Sequence, residues 1–415
     1  MASLQPVRGT HDILPEQERR HRRVEETARD IAARYGFAEM SMPIFEFTEV
    51  FARSIGETTD IVMKEMYTFT DRGGEQITLR PEGTAGVARA FISNGLAQHV
   101  PFKVFYRGPM FRYERPQKGR QRQFNQIGVE LLGVADPQAD IDVIALGAHI
   151  LDALGVSDRA TLELNTLGDG ESRAAYRETL VAYLRVYEKD LSEDSRLRLE
   201  RNPLRILDSK DEGDRAVVKD APTIQDSLND ESKAFFDAVC QGLDALDIAY
   251  AVNPHLVRGL DYYGHTAFEF TTRALGAQGA LLAGGRYDGL VKLMGGPATP
   301  GIGWAAGVER LAMMIDEPDV RDRPIAVIPV GAAQKNRAAV IAHMLRRAGF
   351  AVELGYSGNM SKRMNRANKM NACAAVILGE DELAKGVATV RDMTTGEQRE
   401  VSLDGLAGHL KTYRP

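Results

Sequence analysis

The spacing of apolar and polar positions predicts that helices and strands alternate along this chain. Residues 16–35 place apolar side chains at helical spacing, with Arg and Glu on the opposite face. Residues 37–51 are aromatic and extended in character, and Pro43 favours the end of a strand there. Residues 102–113 and 123–133 have the pattern of two strands joined by a short basic loop, which predicts an antiparallel hairpin.

The middle of the chain differs from the rest in its content of charged residues. Residues 170–250 are rich in charged side chains with helical periodicity, which predicts either a helical insertion or a surface elaboration. Extended character returns in residues 264–272 and 278–288. A helix is expected to follow Gly303 and to carry Trp304 on its apolar face.

The last part of the chain alternates between strands and helices after the polar linker DEPDVRDRP. Residues 325–330, 350–354 and 374–378 are short, mostly apolar runs, as buried parallel strands should be. Helical segments separate them, so the connections are those of a βαβ unit. We therefore expect one domain over residues 1–320 and a separate α/β domain over residues 324–415.

Composition narrows the class of protein. The chain has 415 residues, more than one domain at about 150 residues each. Its 27% charged and 44% hydrophobic residues are ordinary for a globular protein. No apolar run approaches the roughly 20 residues that cross a bilayer, and the first residues lack the apolar core of a signal peptide. Cys240 and Cys373 lie far apart, so we expect a cytoplasmic protein without a metal site.

The net charge is -6, from 52 Lys and Arg against 58 Asp and Glu. Taken over the whole chain, this balance argues against a protein that binds nucleic acid through bulk positive charge. It does not exclude local clusters of cations. The hairpin loop and a segment near residues 361–370 contain such clusters.

Two nucleotide-binding motifs can be set aside. Gly301–Ala306 matches the dinucleotide fingerprint, which requires a strand immediately before it. Pro297 and Pro300 precede it here, so we expect the glycines to permit close packing of the backbone instead. The chain also contains no G-x-x-x-x-G-K-[ST] loop.

The second strand of the hairpin predicts a surface that recognises a polar ligand. Alternation places Phe124, Gln126, Gly128 and Glu130 on one face. That face offers an aromatic plate, an amide, a gap and a carboxylate, and we expect Gly128 to leave room for the ligand. Each polar residue taken singly also fits an ordinary solvated sheet face.

Several segments resemble the class II aminoacyl-tRNA synthetases. Phe111–Glu114 (FRYE), with its loop and returning strand, resembles motif 2, and Gly301–Arg310 (GIGWAAGVER) resembles motif 3. Gly36–Glu46 resembles the weaker motif 1. Two narrower segments, Leu256–Tyr263 (LVRGLDYY) and Ala283–Gly289 (AGGRYDG), resemble the two signatures peculiar to the histidyl-tRNA synthetases. Thr78–Thr84 (TLRPEGT) also fits that family.

This resemblance implies a fold and an activity. The family uses ATP to convert L-histidine to histidyl-adenylate and then transfers histidine to the 3′ end of tRNA-His. The implied fold is α+β: a class II catalytic domain with a mostly antiparallel sheet flanked by helices, a helical insertion at about 170–250, and a C-terminal α/β anticodon-binding domain. The resemblance also implies a homodimer with motif 1 at its interface, and Mg²⁺ that accompanies ATP.

The resemblance assigns three arginines to the reacting phosphates. Arg112 is expected at the α-phosphate, Arg310 at the γ-phosphate, and Arg258 as the catalytic arginine that replaces a metal ion. A guanidinium suits this task because it is a permanently charged, planar donor. Phe124 and Arg310 are expected to enclose adenine, with Glu114 accepting from its amino group. Alternatively, Arg112 and Arg310 pair with neighbouring glutamates, and Arg258 is a surface residue.

The histidine pocket must recognise an ammonium, a carboxylate and an imidazole, for which carboxylates and hydroxyls are suitable partners. Glu130 with a tyrosine hydroxyl suits the two imidazole nitrogens. Glu82 has an alternative role as a carboxylate at a helix start. The resemblance assigns to this pocket Glu82, Gly83, Thr84, Arg112, Gln126, Glu130, Arg258, Tyr262, Tyr263 and Tyr287.

Cations in two regions are expected to bind the tRNA phosphates. The alternative for the second region, a helix of the last domain, is an ordinary solvated face. The motif 2 loop provides Arg115, Lys118, Arg120 and Arg122, and the helix provides Lys362, Arg363, Arg366 and Lys369.

Two rival interpretations belong to other functional classes. One is an inactive regulatory paralogue, such as the synthetase-like subunit of ATP phosphoribosyltransferase, which typically loses signature residues and the last domain. The other is a synthetase-like ligase that does not use tRNA. The presence of Arg112, Arg258, Arg310 and residues 324–415 disfavours both.

Overall fold

The computed structural model describes residues 4–56, 59, 61–257, 262–276, 279–317 and 323–413. These residues form two compact units, Met1–Glu317 and Pro318–Pro415. None of the helices in these ranges is both long and apolar enough to cross a membrane.

An eight-stranded sheet and a three-stranded sheet organise the first unit. The described strands are β1 (Ala38–Glu39), β2 (Phe45–Phe47), β3 (Tyr67–Thr70), β4 (Gln76–Leu79), β5 (Phe102–Phe111), β6 (Gln123–Leu132), β7 (Thr161–Thr166), β8 (Tyr250–Val252), β9 (Gly264–Thr271), β10 (Ala280–Arg286) and β11 (Gly301–Gly307). The large sheet has the order β1-β5-β6-β11-β10-β9-β7-β8, and the small sheet has the order β2-β4-β3. Pairing in the large sheet is antiparallel except at its two edges, where β1 and β8 run parallel to their neighbours.

The helices of the first unit cover the large sheet on both faces. They are α1 (Pro15–Arg34), α2 (Thr48–Ile55), α3 (Thr84–Ser93), α4 (Gln138–Ala153), α5 (Gly170–Val186), α6 (Glu193–Arg201), α7 (Glu212–Val218), α8 (Asp230–Ala245), α9 (Leu290–Leu293) and α10 (Val308–Ala312). A π-helical turn spans Ile61–Glu65, and short 3-10 turns occur at Leu96–His99, Ser157–Arg159, Pro203–Ile206 and Ile224–Ser227.

The alternation along β6 separates two hydrophobic cores. Ile127 and Val129 point to one face, where α1, α4, α8 and α10 pack on the sheet around Trp304. The indole Nε1 of Trp304 donates to the carbonyl of Val143 at 3.0 Å, so its one polar atom is satisfied in this core. The residues of even number point to the other face, where α3 and α5 to α7 contribute to the second core. That second face contains the candidate site.

Two predictions about secondary structure are wrong. A helix, α2, begins at Thr48, inside the segment predicted to be extended. Gly301–Gly307 is a strand and the helix begins only at Val308, so Trp304 lies in a strand. The prediction was wrong because the spacing from Trp304 to the apolar residues that follow it fits a helix as well. Pairing with β6 and β10 on both sides decides the conformation, because small residues there let three backbones approach closely.

The predicted helical segment after residue 170 is helical, and its parts pack differently. Helices α5 to α7 share one hydrophobic cluster, to which they contribute Tyr176 and Leu180, Leu199, and Val217 respectively. Helix α8 instead packs on α4 and contributes Val239 and Leu243 to the core beneath the sheet. The end of the charged segment is therefore part of the main fold.

The second unit is a five-stranded sheet covered by helices. Its strand order is β13-β12-β14-β15-β16; β12 to β14 are parallel, and β15 and β16 are antiparallel. A 3-10 turn spans Lys411–Tyr413. The elements are β12 (Ile325–Pro329), α11 (Lys335–Arg347), β13 (Val352–Leu354), α12 (Met360–Lys369), β14 (Ala374–Leu378), α13 (Glu380–Ala384), β15 (Val387–Asp392), β16 (Gln398–Ser402) and α14 (Leu406–Leu410).

A buried ion pair joins α4 to the end of β10. The side chains of Arg286 and Asp140 are fully buried, and the guanidinium Nε donates to Asp140 Oδ2 at 3.0 Å. Arg286 also donates to Asp288 Oδ1 at 2.9 Å and to the carbonyl of Val134 at 3.0 Å. Because these bonds determine where β10 ends, they also position Tyr287, the residue between Arg286 and Asp288.

We expect Asp140→Asn to lower the free energy of unfolding by about 3 kcal/mol, because it leaves a buried guanidinium without its main counter-charge. Urea denaturation of the full chain measures this change. Arg19→Ala is the matched control, since Arg19 pairs with Glu317 at 3.3 Å on the surface and should change stability by less than about 1 kcal/mol. Equal effects of the two substitutions would contradict the prediction.

Candidate active site

A cavity of about 260 Å³ lies against the second face of the large sheet. The β5–β6 hairpin, the start of α3, strands β9 to β11 and the start of α10 form its wall. Nine of the residues predicted for the site line this cavity: Glu82, Thr84, Arg112, Glu114, Phe124, Gln126, Tyr262, Tyr263 and Arg310.

A backbone carbonyl orients the side chain of Arg112. Its Nε donates to the carbonyl of Pro81 at 2.9 Å. Its guanidinium carbon lies 5.3 Å from the ring centroid of Phe124. The nearest oxygen of Glu114 is 3.9 Å away, a long separation for an ion pair. The predicted alternative for Arg112, an ion pair with its neighbouring glutamate, is therefore only loosely present.

Arg310 is oriented in the same way from the opposite side. It donates from Nε to the carbonyl of Gly119 at 3.1 Å and from Nη1 to the carbonyl of Ala280 at 2.9 Å. Glu309 accepts from the backbone N–H of Asn125 at 2.8 Å, so its carboxylate ties α10 to β6. Burial lowers the pKa of Arg310 from its ordinary value, and a guanidinium so lowered is still a cation at neutral pH.

Glu114 joins the motif 2 loop to the cavity wall. Its Oε2 lies 2.6 Å from Nε of Arg120, a residue predicted to bind tRNA. Arg120 and Gly119 also line the cavity. The loop therefore closes over one end of the cavity.

Glu130 lies beneath the cavity rather than on its wall. The residue is 1% exposed, and it accepts from Thr84 Oγ1 at 2.7 Å and from the hydroxyl of Tyr287. The hydroxyl of Tyr106 lies 3.4 Å from its Oε1. Burial raises the pKa of Glu130 to about 8, and the donated hydrogen bonds oppose this shift.

Glu82 has both of the roles considered for it. Its carboxylate accepts the backbone N–H groups of Thr84 at 2.6 Å and Ala85 at 2.8 Å, at the start of α3. The same residue lines the cavity. Burial raises the pKa of Glu82. Thr84 therefore donates to two buried carboxyl groups, with its backbone N–H to Glu82 and with its hydroxyl to Glu130.

The structure contradicts the space predicted above Gly128. Tyr106 is the partner of Gly128 across the β5–β6 pair, and its ring occupies the gap. A side chain at Gly128 or at Gly83 would overlap that ring. Sequence reasoning missed Tyr106, although the hairpin register and its parity with Arg112 could have identified it. The space left by Gly83 and Gly128 is therefore filled by the ring of Tyr106 and not by a ligand.

Three tyrosines, Tyr262, Tyr263 and Tyr287, pack against one another beside the cavity. The ring centroids of Tyr262 and Tyr263 are 4.6 Å apart, and those of Tyr262 and Tyr287 are 5.7 Å apart. Arg258, predicted as the catalytic arginine, lies outside the described residues, which resume at Tyr262.

The cations predicted to bind tRNA fall into two groups. Arg115 and Lys118 are exposed at the tip of the motif 2 loop, and Lys362, Arg366 and Lys369 are exposed on α12. Of the exposed group, Arg366 also pairs with Glu353 at 2.8 Å. The remaining cations are directed into contacts within the protein.

Arg122 and Arg363 belong to the second group. The guanidinium of Arg122 lies 3.7 Å from the ring centroid of Tyr113, and its backbone N–H donates to Gly9 at 2.7 Å. Arg363 is buried and donates to the carbonyl of Pro329 at the end of β12. Helical periodicity could not distinguish Arg363 from its exposed neighbours, because a long side chain can turn inwards to a free carbonyl.

Comparison with known proteins identifies the family. The family model described as histidyl-tRNA synthetase matches residues 9–311, and the model described as anticodon binding domain matches residues 324–413. The histidine–tRNA ligase of Rhodospirillum rubrum is 63% identical, with both chains covered in full. That of Gluconacetobacter diazotrophicus is 58% identical, with 99% of each chain covered. The chain belongs to the histidyl-tRNA synthetase family.

A solved structure supports the same assignment. The chain resembles the apo histidyl-tRNA synthetase of S. aureus with a TM-score of 0.83 and 35% identity, over 99% of this chain and 100% of the other. The predicted class II fold and the predicted ligase activity are confirmed. The match over the full length, including the last domain, disfavours the two rival interpretations.

We expect the stability of this synthetase to fall as pH rises from about 5 to 8, because of Glu130. Its pKa is about 8 in the folded chain against an ordinary 4.5, so in this interval the folded state holds a proton that the unfolded state releases. The contribution of one such group has a slope of at most about 1.4 kcal/mol per pH unit. Urea denaturation at several pH values measures the slope.

Glu130→Gln should remove this part of the slope, since the amide does not titrate. The exposed Glu171 offers a control, and Glu171→Gln should leave the slope as it is. A Glu130→Gln variant with the wild-type slope would show that Glu130 does not titrate in this interval.

Proposed function

We propose how the described residues divide the work of a histidine–tRNA ligase, the activity that this chain carries as a member of its family. Histidine would occupy the end of the cavity formed by Glu82, Thr84 and the tyrosines. ATP would occupy the end formed by Phe124 and the two arginines. The two substrates would then meet beside Arg112, which lies between these ends.

The observation that carries this proposal is a pair of buried polar atoms on the cavity wall. Gln126 Oε1 and the hydroxyl of Tyr262 have no hydrogen-bond partner among the described residues. Both residues line the cavity. A buried polar atom without a partner has a cost of about 1–3 kcal/mol. A polar ligand bound between them would supply the partners.

The histidine pocket would be selective because of what lies beneath it. Glu130 takes hydrogen bonds from Thr84 and Tyr287, which would orient these two groups beneath the imidazole. Gly83 would contribute by letting Tyr106 pack against the pocket floor. A site that hydrogen-bonds a polar substrate group rejects analogues without that group by about 10⁴–10⁵. The pocket would therefore select histidine over apolar amino acids of similar size.

The arginines would promote adenylate formation by neutralising charge. A carboxylate oxygen of histidine attacks the α-phosphorus, the bond to the bridging oxygen of the β-phosphate breaks, and pyrophosphate leaves. Arg112 would hold the α-phosphate and Arg310 the γ-phosphate. Their carbonyl contacts fix the guanidinium directions before ATP binds, which is the preorganisation that such transfers need. Arg258 would complete the set at the α-phosphate.

Adenine would lie against the face of Phe124, with Arg310 over its other side. Glu114 would accept from the adenine amino group while it keeps its pair with Arg120. Base stacking of this kind is worth about 1–3 kcal/mol. Mg²⁺ would enter with ATP as part of the substrate, held by the β- and γ-phosphates, and the carboxylate of Glu269 lies on the same cavity wall.

Binding of tRNA and assembly extend beyond this cavity. We propose that Arg115 and Lys118 face the acceptor end, and that Lys362, Arg366 and Lys369 of the second unit contact the anticodon arm. Residues 1–320 would form the catalytic domain and residues 324–415 the anticodon-binding domain. We also propose a cytoplasmic homodimer with the motif 1 segment, Gly36–Glu46, at its interface.

The deciding experiment is histidine-dependent exchange of pyrophosphate into ATP, followed by charging of tRNA-His. Arg258→Ala should lower the rate of exchange by about 10²–10³, the usual loss for one preorganised charge, and should leave the Kd for tRNA nearly unchanged. Equal losses of exchange and tRNA binding would indicate a role of Arg258 in folding. No exchange by the wild-type chain would overturn the assigned chemistry.

We expect the double variant Arg115→Ala, Lys118→Ala to raise the KM for tRNA while the exchange rate stays within about twofold of wild type. Each lost phosphate contact should also lower the salt dependence of tRNA binding by about one unit of slope. Lys292→Ala, an exposed lysine of α9, is the control and should change neither. An unchanged salt slope in the double variant would remove these residues from the tRNA interface.

A further inference from the structure

One buried asparagine connects the interior of the sheet to the backbone just before residue 258. Asn165, near the end of β7, is 1% exposed. Its amide nitrogen donates to the carbonyl of Leu256 at 3.0 Å and to that of Pro254 at 3.3 Å. Its carbonyl oxygen accepts from Nε2 of Gln225 at 3.2 Å. All parts of the amide are therefore engaged, and two of the three bonds hold carbonyls that lie outside any strand.

The residues after Asn165 hold the backbone on the other side of the same segment. The N–H of Leu167 donates to the carbonyl of His265 at 2.6 Å, and the N–H of His265 donates to the carbonyl of Gly168 at 2.8 Å. The guanidinium of Arg173, in the first turn of α5, donates to the carbonyl of Tyr263. One short stretch, residues 165–173, thus binds the chain both before and after residues 258–261.

An asparagine at this place needs an explanation because it is almost fully buried. Thr161 and Glu163, which share its face of β7, are polar too but are more exposed, whereas Leu162 and Leu164 point to the hydrophobic core on the other face. A buried amide is unfavourable unless it is fully hydrogen-bonded. An apolar residue would serve the sheet equally well and would leave the carbonyls of Pro254 and Leu256 without this donor. The contacts of Asn165 therefore serve the irregular segment and not the sheet.

We propose that Asn165 is a positioning residue for adenylate formation. With Leu167, Gly168 and Arg173 it holds the described backbone on both sides of residues 258–261, and we expect its loss to lower catalysis through Arg258. The inference rests on the role proposed for Arg258. Gln225 and Arg173 belong to the helical segment after β7. That segment therefore helps to hold Asn165 and the backbone at Tyr263 in position.

The substitution that tests this is Asn165→Leu, which keeps the size of the side chain and removes both donors. Asn165→Asp is its companion, since it keeps the acceptor for Gln225 and also loses the amide donors. We expect kcat for histidine-dependent pyrophosphate exchange to fall about 10- to 100-fold, the usual effect of a small misplacement of a catalytic group. KM for ATP and for histidine should stay within about threefold, because Asn165 does not line the cavity.

A double-mutant cycle with Arg258→Ala distinguishes positioning from a general structural role. If Asn165 acts through Arg258, Asn165→Leu should lower exchange by less than about threefold in the Arg258→Ala background. A loss as large as in the wild-type background would overturn the inference. An Arg258→Ala variant with normal exchange would instead overturn the proposed role of Arg258, so the two failures can be told apart.

Two further variants keep the test valid if Asn165→Leu does not fold. Arg173 occupies a partly exposed position of α5, and Arg173→Gln removes its bond to the carbonyl of Tyr263. This variant should lower kcat in the wild-type background and have a much smaller effect in the Arg258→Ala background. Thr271→Val removes a hydrogen bond of 3.1 Å to Glu163 at the opposite end of β7 and β9, and it should leave kcat within about twofold. A Thr271→Val loss as large as that of Asn165→Leu would also overturn the inference.

Discussion

The burial of one carboxyl group, that of Glu130, sets the arrangement of the whole site. A carboxyl without donors is very unfavourable in the middle of a sheet, and Glu130 lies between Val104 and Gly303 on the two neighbouring strands. Its donors come from separate parts of the chain: Thr84 at the start of α3 and Tyr287 after β10. Satisfying Glu130 therefore brings together the elements that form one end of the cavity.

The glycines around this group follow from the same constraint. Gly303 passes so close to Glu130 that any side chain there would overlap the carboxylate, and Gly83 and Gly128 leave the space that the Tyr106 ring fills. The motif that first suggests a dinucleotide site is thus a strand whose small residues make room for a buried acid. Gly301 has the same relation to the ring of Tyr287.

The charge distribution explains how a chain of net charge -6 can act on ATP and tRNA. Its arginines differ in the contacts that their guanidinium groups make. Arg112 and Arg310 are fixed by backbone carbonyls and face the cavity, whereas Arg122 and Arg363 support the protein itself. Over the whole chain 58 Asp and Glu residues outnumber 52 Lys and Arg residues. The net charge therefore says little about whether a local group of exposed cations, such as the one that contains Lys118, binds nucleic acid.

The sequence alone determined the hairpin, the amphipathic helix at the start, the parallel strands of the second unit and the family. Each of these depends on short-range periodicity or on a local motif, which one stretch of sequence contains in full. The tertiary structure decided what depends on residues distant in the chain. It turned Gly301–Gly307 into a strand because β6 and β10 lie on both sides, and it placed Tyr106 in the gap above Gly128. It also placed the Asn165 amide against the carbonyls of Pro254 and Leu256. Such contacts join positions 20 to 180 residues apart, and no local pattern contains them, because their free energy comes from packing and hydrogen bonding between separate elements.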